Sequence, residues 1–344
     1  MSEKRTEIGQ LGEFGLIDKL SEGFSNTNSE TALGIGDDAA LIDSGDHYTV
    51  LSTDMLLEGI HFDLSFMPLQ HLGYKAVAVN VSDIAAMNAV PKQITVSLGL
   101  SNRFSVEAVE ELYKGVRAAC DSFKVDLVGG DTTSSGSGLV ISVTAVGVAD
   151  KSLISKRSGA QIDDVICVTG DLGGAYMGLQ VLEREKQVFM ANPNMTPQLE
   201  KYDYIVQRQL RPEARMDIIH ELKDLKVVPS AMIDVSDGLA SELFHISKQS
   251  QVGMKIYEDK LPIDKQTYDT GYELNIDATT ATLNGGEDYE LLFTVSKADM
   301  EKLKKHPDIH FIGYVQEQSA GNIMITKGER EVALQAQGWN HFNN

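Results

Sequence analysis

The sequence predicts an α/β (α+β) protein of two domains, and three observations carry that prediction. Strand-like and helix-like segments alternate along the whole chain, the pattern of sheets covered by helices. The 344 residues are about twice a typical domain length. A polar stretch at 150–164, holding Lys156, Arg157 and Gly159, interrupts the pattern midway. It separates an expected N-terminal domain, 1–150, from a C-terminal α/β domain, 151–344.

Segments 49–52, 93–100, 125–128 and 139–149 read as strands bounded by Gly, Asp or Pro. The clearest helix is 105–123. There Val106, Val109, Tyr113, Val116, Cys120 and Phe123 recur at spacings of 3 and 4, which makes one apolar stripe. Ser105 is its N-cap, although Ala108 leaves the capping box incomplete. A second helix is expected over 69–87, ending before Pro91. Past the break, 165–169 starts a new cycle with a glycine turn at 170–174. Segment 187–201, with two prolines, reads as an exposed excursion. Leu239, Leu243 and Ile246 mark a further helix.

Charge narrows the function. Lysine and arginine number 30 against 50 acids, a net charge of −20. Nucleic acids and anionic membranes are held by basic patches, so neither is an expected partner. Hydrophobic residues make up 42%, enough for a sizeable core, yet no apolar run approaches the roughly 20 residues of a membrane span. Two cysteines, Cys120 and Cys167, cannot make a disulfide framework. The first nine residues lack the apolar core of a signal peptide. A cytoplasmic location is the expectation.

Most acids lie among lysines on helix faces, as Glu107, Glu110 and Glu111 do beside Lys114. Six aspartates sit instead among Gly, Ala, Ser and apolar residues, at the ends of strand-like segments. They are Asp38 in GIGDDAALI, Asp54 in VLSTDMLLEG, Asp83 in VNVSDIAAM, Asp131 in LVGGDTT, and Asp234 and Asp237 in IDVSDGL. Asp37, beside Asp38, is a seventh candidate.

A carboxylate in apolar surroundings is costly unless it is paired or binds metal. Few lysines or arginines neighbour these motifs in sequence, so a hard cation is the better partner. Mg2+ takes oxygen ligands, usually a few carboxylates together with substrate phosphates. Ser52, Thr53 and Ser236 add oxygens within the same motifs. Taken singly, an Asp beside Gly also reads as a turn or helix-cap residue. Asp131 fits a turn, and Ser236-Asp237-Gly238 fits a helix start. Turn chemistry does not account for all six.

Other signals fail. No GxxxxGK(S/T) loop is present. The stretch from Gly34 to Ala39 resembles a GxGxxA dinucleotide turn, but Asp37 and Asp38 inside it would repel a pyrophosphate. A calcium loop starting at Asp131 would need a glutamate where Ser142 stands. His306 and His310 have helical spacing with Pro307 between them, which favours a surface turn over a zinc site.

GIGDDAA, STDMLLEGIHF, VNVSDIAAMNAVP, VGGDTT, KRSGA, IDVSDGL and NGGEDYELLFTV occur in this order. The set resembles the thiamine-monophosphate kinases, in the superfamily of aminoimidazole ribonucleotide synthetase and selenophosphate synthetase, from about Gly12 to Phe342. The resemblance implies ATP-dependent transfer of a γ-phosphoryl group to thiamine monophosphate. It also implies a homodimer whose N-terminal halves share a β-barrel and bind nucleotide at their junction.

Carried over by position, Asp38, Ser52, Thr53, Asp54, Asp83, Asp131, Asp234 and Asp237 resemble magnesium ligands. Gly130, Asp131, Arg157, Ser236 and Tyr113 resemble ATP contacts. His61, Glu287 and Trp339 resemble substrate contacts, with Trp339 standing where relatives often have Tyr. No acid or base is required, because the acceptor phosphate has a second pKa of about 6. Two alternatives remain at this stage: another ATP-using member of the superfamily, or a non-catalytic scaffold that binds metal and nucleotide.

Overall fold

In the computed structural model, which describes residues 8–336, two sheets follow one another along the chain. The first is built from Thr31–Leu33 (β1), Ala40–Asp43 (β2), His47–Leu57 (β3), Val90–Leu100 (β4), Asp126–Ser134 (β5) and Val140–Asp150 (β6). Its order is β1-β2-β3-β6-β4-β5, antiparallel except between β4 and β5. The second contains Val165–Thr169 (β7), Ala231–Asp234 (β8), Gly253–Tyr257 (β9), Leu291–Val295 (β10), Ile309–Gln316 (β11), Asn322–Ile325 (β12) and Glu331–Ala333 (β13). Its order is β13-β12-β9-β11-β7-β10-β8, with β12 and β9 parallel.

Helix α1 (Gly12–Ser21) precedes the first sheet in the chain, and α2 (Leu69–Ala86) and α3 (Val106–Phe123) follow β3 and β4. The second sheet is accompanied by α4 (Gly174–Ala191), α5 (Asp203–Leu210), α6 (Met216–Asp224), α7 (Leu239–Ser250), α8 (Lys265–Leu274), α9 (Ala278–Asn284) and α10 (Lys297–Leu303). No described helix is long and apolar enough to cross a membrane.

The expected stripe organises α3. Val109, Val116, Tyr113, Cys120 and Phe123 pack on the core, and Ser105 Oγ accepts from the Ala108 N–H at 3.3 Å. Val106 departs from the stripe: in the first turn, before the helix meets α2, it is 71% exposed. Glycines let the two helices touch. A Cβ on Gly73 would stand 2.0 Å from the Leu112 carbonyl oxygen, and one on Gly115 would stand 1.9 Å from that of Gln70.

Helix α2 is buried on nearly every side. It packs on β3, β4 and β6 and also on β8, α5 and α6, so it joins the two halves. The apolar core is continuous there: Ile94 and Val143 belong to the same cluster as Val165, Ile205 and Phe293.

Three sequence expectations change. Strand β3 runs through Ser52, Thr53 and Asp54, because alternation continues past the polar residues: Val50, Ser52 and Leu56 face inward, while Leu51, Thr53 and Met55 face out. Strand β5 extends through GGDTT, so Asp131 lies within an edge strand and not in a turn. Asp83 sits on α2 and not at a strand end. In addition, α4 reaches Ala191 and takes in the first residues of the expected excursion.

Candidate active site

The site forms where α2 meets both sheets. Along β3, side-chain alternation turns Ser52 and Asp54 toward α2, and the Asp54 N–H donates to Asn80 Oδ1 at 3.0 Å. The Ser52 hydroxyl donates to Asp83 on α2. One residue before Asp83, Ser82 Oγ donates to Asp234 Oδ2 at 2.5 Å, which ties α2 to the end of β8. Asp38 arrives from the loop between β1 and β2. Asp38, Asp83 and Asp234 each present a carboxylate oxygen within 4.8 Å of the other two.

Three carboxylates so close raise one another's proton affinity. Burial, then Asp54, Asp234 and Asp38, push the Asp83 carboxyl well up. Burial and Asp38 likewise raise Asp234. Asp37, beside them, is pushed up to about 6 by burial and by Asp38. Asp38 Oδ2 is buried with no hydrogen-bond partner among the described residues. An acceptor-only oxygen without a donor, amid repelling carboxylates, fits a hard divalent cation.

One expectation about charge is overturned. The motifs lack cations in sequence, but Arg157, from the segment between β6 and β7, reaches Asp38. Its Nη2 lies 2.6 Å and its Nε 3.1 Å from Asp38 Oδ1, and its backbone N–H donates to Asp37 Oδ1 at 3.1 Å. Ion pairing therefore does satisfy one member of the cluster. Chain topology supplied a cation that local sequence did not.

These residues wall a cavity of about 1120 Å3. Nine carboxylates line it against two cationic side chains, Arg157 and Lys186. His245 on the wall adds no charge near neutrality, since burial and Arg157 hold its pKa down to about 4. Of the expected site residues, Asp38, Ser52, Thr53, Asp54, His61, Asp83, Arg157, Asp234, Ser236, Asp237 and Glu287 all line this space. Thr53 nevertheless turns its hydroxyl away, donating to the Val143 carbonyl at 3.0 Å. His61 Nδ1 accepts the Leu57 N–H at 3.0 Å.

Three expected residues lie elsewhere. Tyr113 packs against the core from α3. Gly130 has a structural reason of its own, since a Cβ there would stand 1.8 Å from the Val96 carbonyl oxygen. Asp131, on the exposed edge strand, is in register with Ser97, which pairs with Ser142, which pairs with Met55. Three strand spacings, roughly 14 Å along the sheet, therefore separate Asp131 from the Asp54 region. Trp339 lies outside the described residues.

Sequence reasoning missed Lys75, Gln209 and Glu242. Lys75 is fully buried on α2 and lies 2.6 Å from Glu287 Oε1. Gln209 Nε2 donates to Glu287 Oε2 at 2.7 Å. Buried Glu242 accepts the Asp237 N–H at 2.9 Å. For Lys75 the signal was a lone ammonium inside the apolar run GYKAVAV.

Comparison with known proteins agrees over nearly the whole chain. Residues 36–149 match the AIR synthase related protein N-terminal domain, and 161–326 match the corresponding C-terminal domain. The thiamine-monophosphate kinase of Bacillus subtilis is 35% identical over 339 residues, covering 96% of this chain and all of the relative. That of Aquifex aeolicus is 34% identical over 336 residues, covering 97% and 99%. A solved structure described as AaThiL complexed with AMPPCP and TMP superposes with a TM-score of 0.83 at 32% identity, covering 99% of this chain and 100% of that one. With both domain families matched and near-complete relatives at this identity, the chain belongs to the thiamine-monophosphate kinase family.

Proposed function

We propose that this protein transfers the γ-phosphoryl group of ATP to the phosphate of thiamine monophosphate, giving thiamine diphosphate and ADP. The observation that carries the reading is the meeting of Asp38, Asp83 and Asp234 on the wall of one large acidic cavity. Such a wall repels a nucleotide unless cations intervene. The family membership and the ligands of AaThiL support the same pair of substrates.

Asp38, Ser52, Thr53, Asp54, Asp83, Asp131, Asp234 and Asp237 are the residues that would hold Mg2+. Bound there, Mg2+ supplies positive charge to phosphate oxygens that the acidic walls cannot. Arg157, placed by Asp38, would face the nucleotide, with Ser236, Gly130, Asp131 and Tyr113 as further ATP contacts. His61, Glu287 and Trp339 would hold the thiamine moiety. The acceptor oxygen is already largely deprotonated at neutral pH, so the protein's task is alignment of two polyanions.

The protein is read as a homodimer. Gly130, Asp131 and Tyr113 do not line the cavity of their own chain. Strand β5 is an exposed edge with Val128 62% exposed, and an edge carrying apolar side chains is a template for pairing. A second copy meeting β5 would bring Asp131 to the neighbouring site. Unpaired Cys120 and Cys167 support a reducing, cytoplasmic setting.

The test is incubation of the purified protein with Mg2+, ATP and thiamine monophosphate. Thiamine diphosphate and ADP are expected in equal amounts. A scaffold would bind both ligands in a single-turnover mix without forming ADP, and that result would end the kinase reading.

A further inference from the structure

Glu287 cannot act as a free counter-charge. Lys75 Nζ stands 2.6 Å from its Oε1 and Gln209 Nε2 stands 2.7 Å from its Oε2. Lys75 is 0% exposed, and a buried ammonium persists only with such a partner. The Lys75–Glu287 pair is therefore neutral as a unit. The Glu287 side chain stays 29% exposed on the cavity wall, so its carboxylate keeps acceptor capacity for a ligand. Gln209 lines the same wall. Its amide orientation follows from chemistry, because a carboxylate only accepts and Nε2 must face it. Gln209 Oε1 is left buried and without a partner among the described residues.

That oxygen is closed to the cavity, so the acceptor this wall offers is the Glu287 carboxylate, and a carboxylate whose charge is already balanced recognises N–H donors better than it recognises charge. We infer that Lys75 is a specificity-setting, positioning residue: by neutralising and clamping Glu287, it makes this wall read the exocyclic amine of an aminopyrimidine, not the positive charge of a thiazolium. The inference rests on thiamine monophosphate being the substrate.

Two analogues test it with the wild-type protein. One replaces the thiazolium nitrogen by carbon and is uncharged; the other lacks the exocyclic amine. The uncharged analogue is expected to keep its KM within about threefold of that of thiamine monophosphate. The amine-free analogue should raise it about tenfold or more, the effect of losing a hydrogen bond to a charged group. A large loss for the uncharged analogue with none for the amine-free one would overturn the inference while leaving the kinase reading intact. No turnover of any of the three would remove that reading, and this inference with it.

In Lys75→Met the bare Glu287 should favour the cationic ring over the uncharged one by about tenfold, with the KM for ATP unchanged. An equal loss for every substrate would mean that Lys75 serves only the fold and would contradict the proposal.

Discussion

Arg157 Nη2 lies 2.6 Å from Asp38 Oδ1, joining two residues 119 positions apart. The Asp38 side chain is only 1% exposed, so this pair fixes the loop before β2 to the segment between the two sheets. It also leaves Asp38 Oδ2 without a partner among the described residues.

Removing the guanidinium should therefore act on stability and on nucleotide binding together. For Arg157→Met we expect a loss of about 3 kcal/mol in urea unfolding without metal, since a buried carboxylate is stranded among others. Saturating Mg2+ should recover part of it. The KM for ATP should rise with a smaller effect on that for thiamine monophosphate. Unchanged unfolding in EDTA would show that the pair contributes nothing.

Asp83 makes the opposite prediction. Its neighbours repel it, so Asp83→Asn should stabilise the cation-free protein at pH 8 by about 1 kcal/mol. The same change should lower kcat at least about a hundredfold if Asp83 holds Mg2+. Asp54→Asn should also abolish turnover while leaving the oligomer intact. Thermal unfolding in EDTA and steady-state kinetics separate the two effects; full activity in either variant would remove that residue from the metal site.

The same repulsion gives a pH dependence. Burial and like charge raise the carboxyls of Asp83 and Asp234, and that of Asp37 to about 6. The folded state then binds protons more tightly than the unfolded chain between the ordinary carboxylate range and the raised values. In that window stability rises as pH falls and declines as pH climbs. In EDTA the melting temperature should be higher by about 2 °C at pH 6 than at pH 8. Added Mg2+, which competes with those protons, should raise it more at pH 8. Equal Mg2+ shifts at both pH values would mean that the cluster does not exchange protons for metal.

Asp131 tests the dimer. If it serves the neighbouring site, Asp131→Asn and Asp54→Asn are each inactive alone, and a mixture regains activity. The mixed dimer contains one site with both native aspartates. Assay after co-refolding should show a recovery of roughly a quarter of wild type, as random pairing requires. No recovery, with mixed dimers demonstrated, would place Asp131 in its own chain's site or in neither.

Much of this was legible in the residues. The spacing from Val109 to Phe123 marked α3, and three of the six isolated aspartates, Asp38, Asp83 and Asp234, meet in the cluster, whereas Asp131 lies apart on β5. Where local pattern misled, tertiary contact had decided the outcome. Asp54 sits inside a strand because alternation outlasts the apolar stretch of β3, and Asp131 does so because β5 stays paired with β4 through Ser97 and beyond. Arg157, Lys75 and Gln209 acquire their roles only when α2, α5 and the linking segment meet. No window of sequence contains those contacts.

The most direct measurement is calorimetric titration of the wild-type protein with a non-hydrolysable ATP analogue, in saturating Mg2+ and in EDTA. Nine carboxylates around two cations predict tight binding with the metal and none detectable without it. Equal affinity in EDTA would contradict the account, because the pocket would then hold a polyphosphate without cations.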